Sequence, residues 1–198
     1  MAKIKSALEI ALEKTEAVKG NKDSIDQFDT KQRGKKIANT FMEEGGNLAV
    51  EIKKTPAGQQ ESLKQGIFDV LVSQISLPVT KEDEKRIEAA GKGLHAVIND
   101  SHFAELYKQL LQALSQYLKE VAQYDEAIRR QYAPKLRHKE EELSRRLGRE
   151  VRIDPLQDPE FVSFYNQNMN ALKGNYQVVV EQVKEEAHRL FEGSGQSK

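Results

Sequence analysis

Few side chains in this sequence are suited to acid–base or metal chemistry. The histidines are His95, His102, His138 and His188. Glu185 and His188 reproduce the Glu-x-x-His spacing that places two ligands on one helix face in di-iron bundles. Such a site needs a second copy of the pair and further carboxylates. The sequence holds one copy, in a stretch so rich in glutamate that the spacing reads as a solvated helix end. His95 and His102 straddle a helix cap at Asn99 and read as surface groups. With no cysteine in the chain, disulfides, thiol nucleophiles, thiolate zinc sites and cysteine-held iron–sulfur clusters are excluded. The glycine-rich phosphate loop, the dinucleotide turn, the Gly-x-Ser-x-Gly elbow and the His-Glu-x-x-His pair are also missing. These absences lower the expectation of an enzyme. No metal site, catalytic residue or cofactor is expected.

Charge is the second source of chemistry. Lys and Arg number 31 and Asp and Glu number 31, so no global field draws the chain to nucleic acid or to an anionic membrane. Locally, residues 129–152 carry nine basic against four acidic side chains. Arg129, Arg130, Arg145 and Arg146 are the candidates for an anion-binding surface. Lys31, Arg33, Lys35 and Lys36 form a second basic cluster. Brought together, the two would make a phosphate-binding face. Arginine and glutamate interleaved on an exposed helix instead form (i, i+4) pairs, and this is the favoured reading. Nucleic-acid association stays as an alternative.

The elements that must position these groups are helices. Hydrophobic residues make up 38% and charged residues 31% of 198 residues, and mean hydropathy is −0.69. Helices bury only a stripe and tolerate such polarity, whereas buried sheets do not. Ser6 with Glu9 forms a capping box, and Ile4, Leu8, Ala11, Thr15 and Val18 repeat at helical spacing, predicting a first helix that ends at Gly20. A polar linker follows to Asp29. Ile37, Phe41, Leu48 and Ile52 mark a second helix, in which Gly45 and Gly46 either break the helix or let another helix approach closely. Thr55 and Pro56 signal the start of a strongly apolar third helix ending at Leu77 and Pro78. Thr80 and Asp83 open a fourth, softened by Gly91 and Gly93.

From Ser101 the stripe Phe103, Leu106, Leu110, Leu114, Tyr117, Val121, Tyr124 and Ile128 runs on without a stop signal. Pro134 should kink this long helix before it ends near Leu147. Gly148 to Asp158 reads as an extended crossover. Asp158 and Pro159 then start a final helix reaching Phe191, and residues 192–198 are expected to be a disordered tail.

The stretch from Lys3 to Lys14, together with Leu147–Val151, Asp154–Pro155 and Asp158–Phe161, resembles a family of uncharacterised bacterial helical proteins. That resemblance implies a helical fold and assigns no activity or functional residue.

The expected architecture is all-α, an elongated antiparallel bundle with long helices over about 101–147 and 159–191. Residues 1–198 form one helical domain in which 1–20 pack as a separate helix. Leu106, Leu110, Leu114, Val121 and Ile128 form the interaction seam of a non-enzymatic scaffold or assembly protein, a homo-oligomer or the binder of another protein. A metal- or ligand-dependent helical-bundle enzyme is the remaining alternative. The first residues lack the apolar core of a signal peptide, and no run approaches the ~18 apolar residues of a membrane span, so a cytoplasmic protein with no membrane partner is expected.

Overall fold

The computed structural model describes the backbone of residues 7–195 and the side chains of 24–194. Six α-helices follow one another within those bounds: α1 (Ala7–Glu44), α2 (Leu48–Lys54), α3 (Ala57–Ser73), α4 (Lys81–Ile98), α5 (Ser101–Leu147) and α6 (Pro159–Gly195). A 3-10 turn at Pro155–Gln157 precedes α6, and no strand occurs among the described residues. The all-α expectation is met.

Several boundaries differ from the sequence reading. Gly20 does not end a helix, because α1 runs through it and through the polar residues 21–29. A single glycine costs only ~1 kcal/mol against alanine, and no proline follows to prevent the next turn from forming. The Ser6 cap lies outside the described residues. At Gly45 and Gly46 the helix breaks: their φ angles are +80° and +128°, and the Gly45 N–H donates to the Phe41 carbonyl at 2.9 Å as the last helical bond. Asn47 then caps α2 by accepting from the Val50 N–H at 3.3 Å. Thr55 closes α2 rather than opening α3, which begins after Pro56. α3 ends at Ser73, before the predicted Leu77, and the fully buried Ile75 anchors the connection that follows. At the head of α4 the Asp83 carboxylate accepts from the Thr80 N–H at 2.9 Å while the Thr80 hydroxyl accepts from the Asp83 N–H at 3.2 Å, the reciprocal box read from sequence. Helical structure is continuous through Gly91 and Gly93 and through Pro134. α6 extends to Gly195, beyond Phe191.

The chain divides into two compact units. One comprises the residues through Gln74, with Ala89–Ser101 and those from Ala187 onward; the other comprises Ile75–Glu88 and His102–Glu186. In the first, Leu63, Ile67, Phe68 and Leu71 of α3 are fully buried together with Ala38, Ala90 and Leu94. Phe68 stacks on Phe191 with ring centroids 4.3 Å apart and meets the His188 ring edge-on at 4.9 Å.

Within this unit α1 and α3 run antiparallel, as the pairings Lys31–Asp69 and Gly34–Gly66 show. Their backbones come into contact. A Cβ placed on Gly66 would strike the Lys31 carbonyl group, 2.9 Å from its carbon and 3.1 Å from the Lys35 nitrogen. A Cβ on Gly34 would strike the Leu63 carbonyl oxygen and lie 3.2 Å from the Gly66 Cα. Neither obstacle is a movable side chain. At 2.9 Å, Lys31 also pairs with Asp69, whose carboxyl is held below its ordinary pKa by hydrogen bonds from Lys31 and Gln65 that outweigh its partial burial.

Gly66→Ala must therefore force α1 and α3 apart and should lower unfolding free energy by about 3 kcal/mol in urea titrations. Gly174→Ala, at a helical position where a Cβ meets nothing within 4 Å, should instead stabilise by ~0.5–1 kcal/mol.

Candidate functional site

In the second unit, the stripe of α5 faces α6. The ring pairs Tyr132–Phe161 (5.2 Å) and Tyr117–Tyr176 (5.0 Å) step in opposite directions along the two helices, so α5 and α6 are antiparallel. Of the seam residues, Leu110, Leu114 and Ile128 are buried, and Leu106 and Val121 are half-buried. Ile128, Tyr132, Phe161 and Met169 form a core cluster against which Val121, Leu136, Phe164 and Tyr165 pack. Much of the seam is thus enclosed by the chain itself. The Tyr107 hydroxyl donates to the Ile87 carbonyl at 2.6 Å in a site 4% exposed, and burial pushes this phenol's pKa well up.

Towards the N-terminal end of α5 the seam is open. A hollow of about 530 Å³ lies between α5 and α6, with Leu106, Leu110, Ala113, Val179 and Val183 as its apolar walls. Gln109 and Gln182 line it too, with His102 and Glu186, whose Nε2 and Oε1 atoms are 3.7 Å apart. Beside it Val178 is 57% exposed.

The four candidate arginines do not converge. Arg129 pairs with Asp125 at 2.9 Å, Arg130 with Glu126, and Arg145 with Glu141 at 3.8 Å, each within one turn of helix. Arg130 and Arg146 are sixteen residues apart on α5, or about 24 Å along a helix. Arg146 lies at a separate hollow of about 340 Å³ with Lys139, Leu143 and Gln157. His95, His102, His138 and His188 are all exposed. Among the described residues no three His, Asp or Glu side chains group as metal ligands.

The polar constellation that does form was not foreseen beyond one of its members. Asp158, 4% exposed, accepts from the Glu160 N–H at 2.9 Å and so caps α6. Lys139 of α5 reaches both Asp158 oxygens at 2.8 and 3.0 Å and Glu160 at 2.8 Å. Lys135 pairs with Glu160 at 2.9 Å, and the Tyr132 hydroxyl donates to Asp158 at 3.3 Å. The Asp158–Pro159 cap was readable, because its partners are local. The pairing with Lys139, nineteen residues earlier, has no periodic signal. Hydrogen bonds from Lys139 and Lys135 hold the Glu160 carboxyl down to about 2, those from Lys139 and the backbone hold Asp158 low, and the two carboxylates hold Lys139 well above its ordinary value. All three groups are engaged in fixing the start of α6 against α5.

One family matches the chain, over residues 49–189, described as a family of unknown function (DUF6657). The match spans the second of the two stretches that carried the resemblance, residues 147–161, and begins after the first. No curated protein and no solved structure matches.

Both carboxylates have folded pKa values below those of the unfolded chain. Their contribution is therefore complete above ~pH 5 and is lost as pH falls from ~4 towards 2. Chemical denaturation across that range should show a steep loss of stability in the parent and a shallower one in Lys139→Met. At pH 7, Asp158→Ala should lose ~1–2 kcal/mol, the size of a helix cap.

Proposed function

Since the chain belongs to DUF6657, a family of unknown function, we propose its role from its own surface: a non-enzymatic helical assembly protein that pairs with a second copy of itself across the open end of the α5–α6 seam. The observation that carries this is the apolar hollow between Leu106, Leu110, Ala113, Val179 and Val183 with the exposed Val178 next to it. A hollow beside an apolar projection on the same face is self-complementary: under a twofold axis each copy's projection meets the other's hollow.

The polar lining suits the same partner. Gln109 and Gln182 each carry donors and an acceptor and can pair with the same amides of a second copy without leaving a charge unpaired. His102 and Glu186 already face each other. The titratable groups most strongly displaced from their ordinary values, Glu160, Lys139 and Tyr107, serve helix–helix contacts, which supports a structural role over a catalytic one. Among the described residues no helix is long and apolar enough to cross a membrane.

Sedimentation equilibrium or native mass spectrometry should find a dimer at micromolar concentration. Val178→Glu, placed where the side chain is exposed and folding is unaffected, should weaken self-association at least tenfold with helicity unchanged, because it brings an unpaired charge into an apolar contact. A monomeric parent, or a variant that dimerises like the parent, would refute the reading.

A further inference from the structure

The first unit holds a second hollow, of about 380 Å³, between the last turns of α1, the Gly45–Gly46 break and α2. Its size falls in the range of small-molecule sites. We propose that it binds a short amphipathic carboxylate, an anionic head on an apolar body of medium chain length.

The lining separates by chemistry. Ile37, Phe41 and Leu48 supply apolar surface, and Arg33 and Lys36 stand one helical turn away on α1. Arg33 is positioned: its Nη2 donates to the Thr55 hydroxyl at 2.6 Å, and that hydroxyl, on a residue 2% exposed, donates in turn to the Glu51 carbonyl at 3.0 Å. One guanidinium nitrogen is thus used to hold the group, and the remaining N–H donors are left for a planar carboxylate. Lys36 makes no ion pair among the described residues. The Glu51 carboxylate, the one acidic group of the lining, is engaged by Lys54 at 2.8 Å. Two cations therefore face an apolar hollow, and an anion with an apolar body satisfies both.

Gly93 of α4 lies against two of the lining side chains. A Cβ there would lie 2.6 Å from Leu71 Cδ1, 2.9 Å from Phe41 Cε1 and 3.1 Å from Leu48 Cδ1. An added methyl group must displace these side-chain ends, and Phe41 and Leu48 both line the hollow.

Titration of the full chain with octanoate, octan-1-ol and acetate by calorimetry separates the two halves of the ligand. Octanoate should bind saturably at one per chain, octanol at least tenfold more weakly, and acetate not measurably. Lys36→Gln, at an exposed side chain, should weaken octanoate at least fivefold without changing the thermal midpoint, and Gly93→Ala should weaken it as well. Octanol binding as tightly as octanoate, unsaturable uptake of several octanoates per chain, or parent-like affinity in Lys36→Gln would overturn the proposal.

Discussion

The first unit depends on two glycines that allow α1 and α3 to touch backbone to backbone. Ordinary helix pairs are held 8–10 Å apart by their side chains. At Gly34 and Gly66 that spacer is missing, and each glycine lies against the other helix's main chain. The consequences spread from there. Ala38, one turn beyond Gly34, and Leu63, one turn before Gly66, are fully buried, and the Lys31–Asp69 pair forms beside the contact at 2.9 Å. With α1 fixed in this way, its later turns present Phe41 to Gly93 of α4, and the break at Gly45–Gly46 brings Leu48 to the same place. Phe41 of α1 and Leu48 of α2 thus meet at Gly93 of α4.

The second unit uses a different means to the same end. Here α5 and α6 are kept apart by large side chains, Tyr117 against Tyr176 and Tyr132 against Phe161, and registered by charge. The Lys139 ammonium holds the cap of α6, so the same carboxylate that satisfies the first backbone N–H groups of that helix also ties it to its neighbour. Removing the lysine would leave the Asp158 carboxylate with the Glu160 N–H and the Tyr132 hydroxyl as donors but without its countercharge, a larger penalty than the pair's net contribution.

Much of the helical content was readable because it rests on local rules. The reciprocal bonds of Thr80 and Asp83, the Asp158–Pro159 start and the stripe of α5 each follow from residues within one or two turns of each other. Gly20 and Gly45–Gly46 show where such rules run short. A glycine inside a helix is cheap enough to be tolerated, and only the pair with φ at +80° and +128° ends α1. Gly34 and Gly66 carried no signal, since a tolerated glycine and one required by a close approach are the same letter until the facing helix is in place. The seam was legible as an apolar stripe, but which part of it α6 covers was not. Leu110, Leu114 and Ile128 are enclosed, and the hollow at Leu106 and Ala113 arises from how two long helices meet. The arginines at 129, 130 and 145 follow the (i, i+4) rule that argued against a shared anion site.

Tyr107 gives the chain an optical property. There is no tryptophan among its 198 residues, so tyrosine dominates the near-ultraviolet absorbance. Alkali ionises water-facing phenols first, and the absorbance change that accompanies ionisation is easily followed. The Tyr107 hydroxyl is committed to the Ile87 carbonyl inside the fold, and burial displaces this phenol upward more strongly than Tyr117, Tyr132, Tyr165 or Tyr176. The late part of an alkaline spectrophotometric titration therefore carries a signal from the contact between α5 and the second turn of α4, with no label added to the protein.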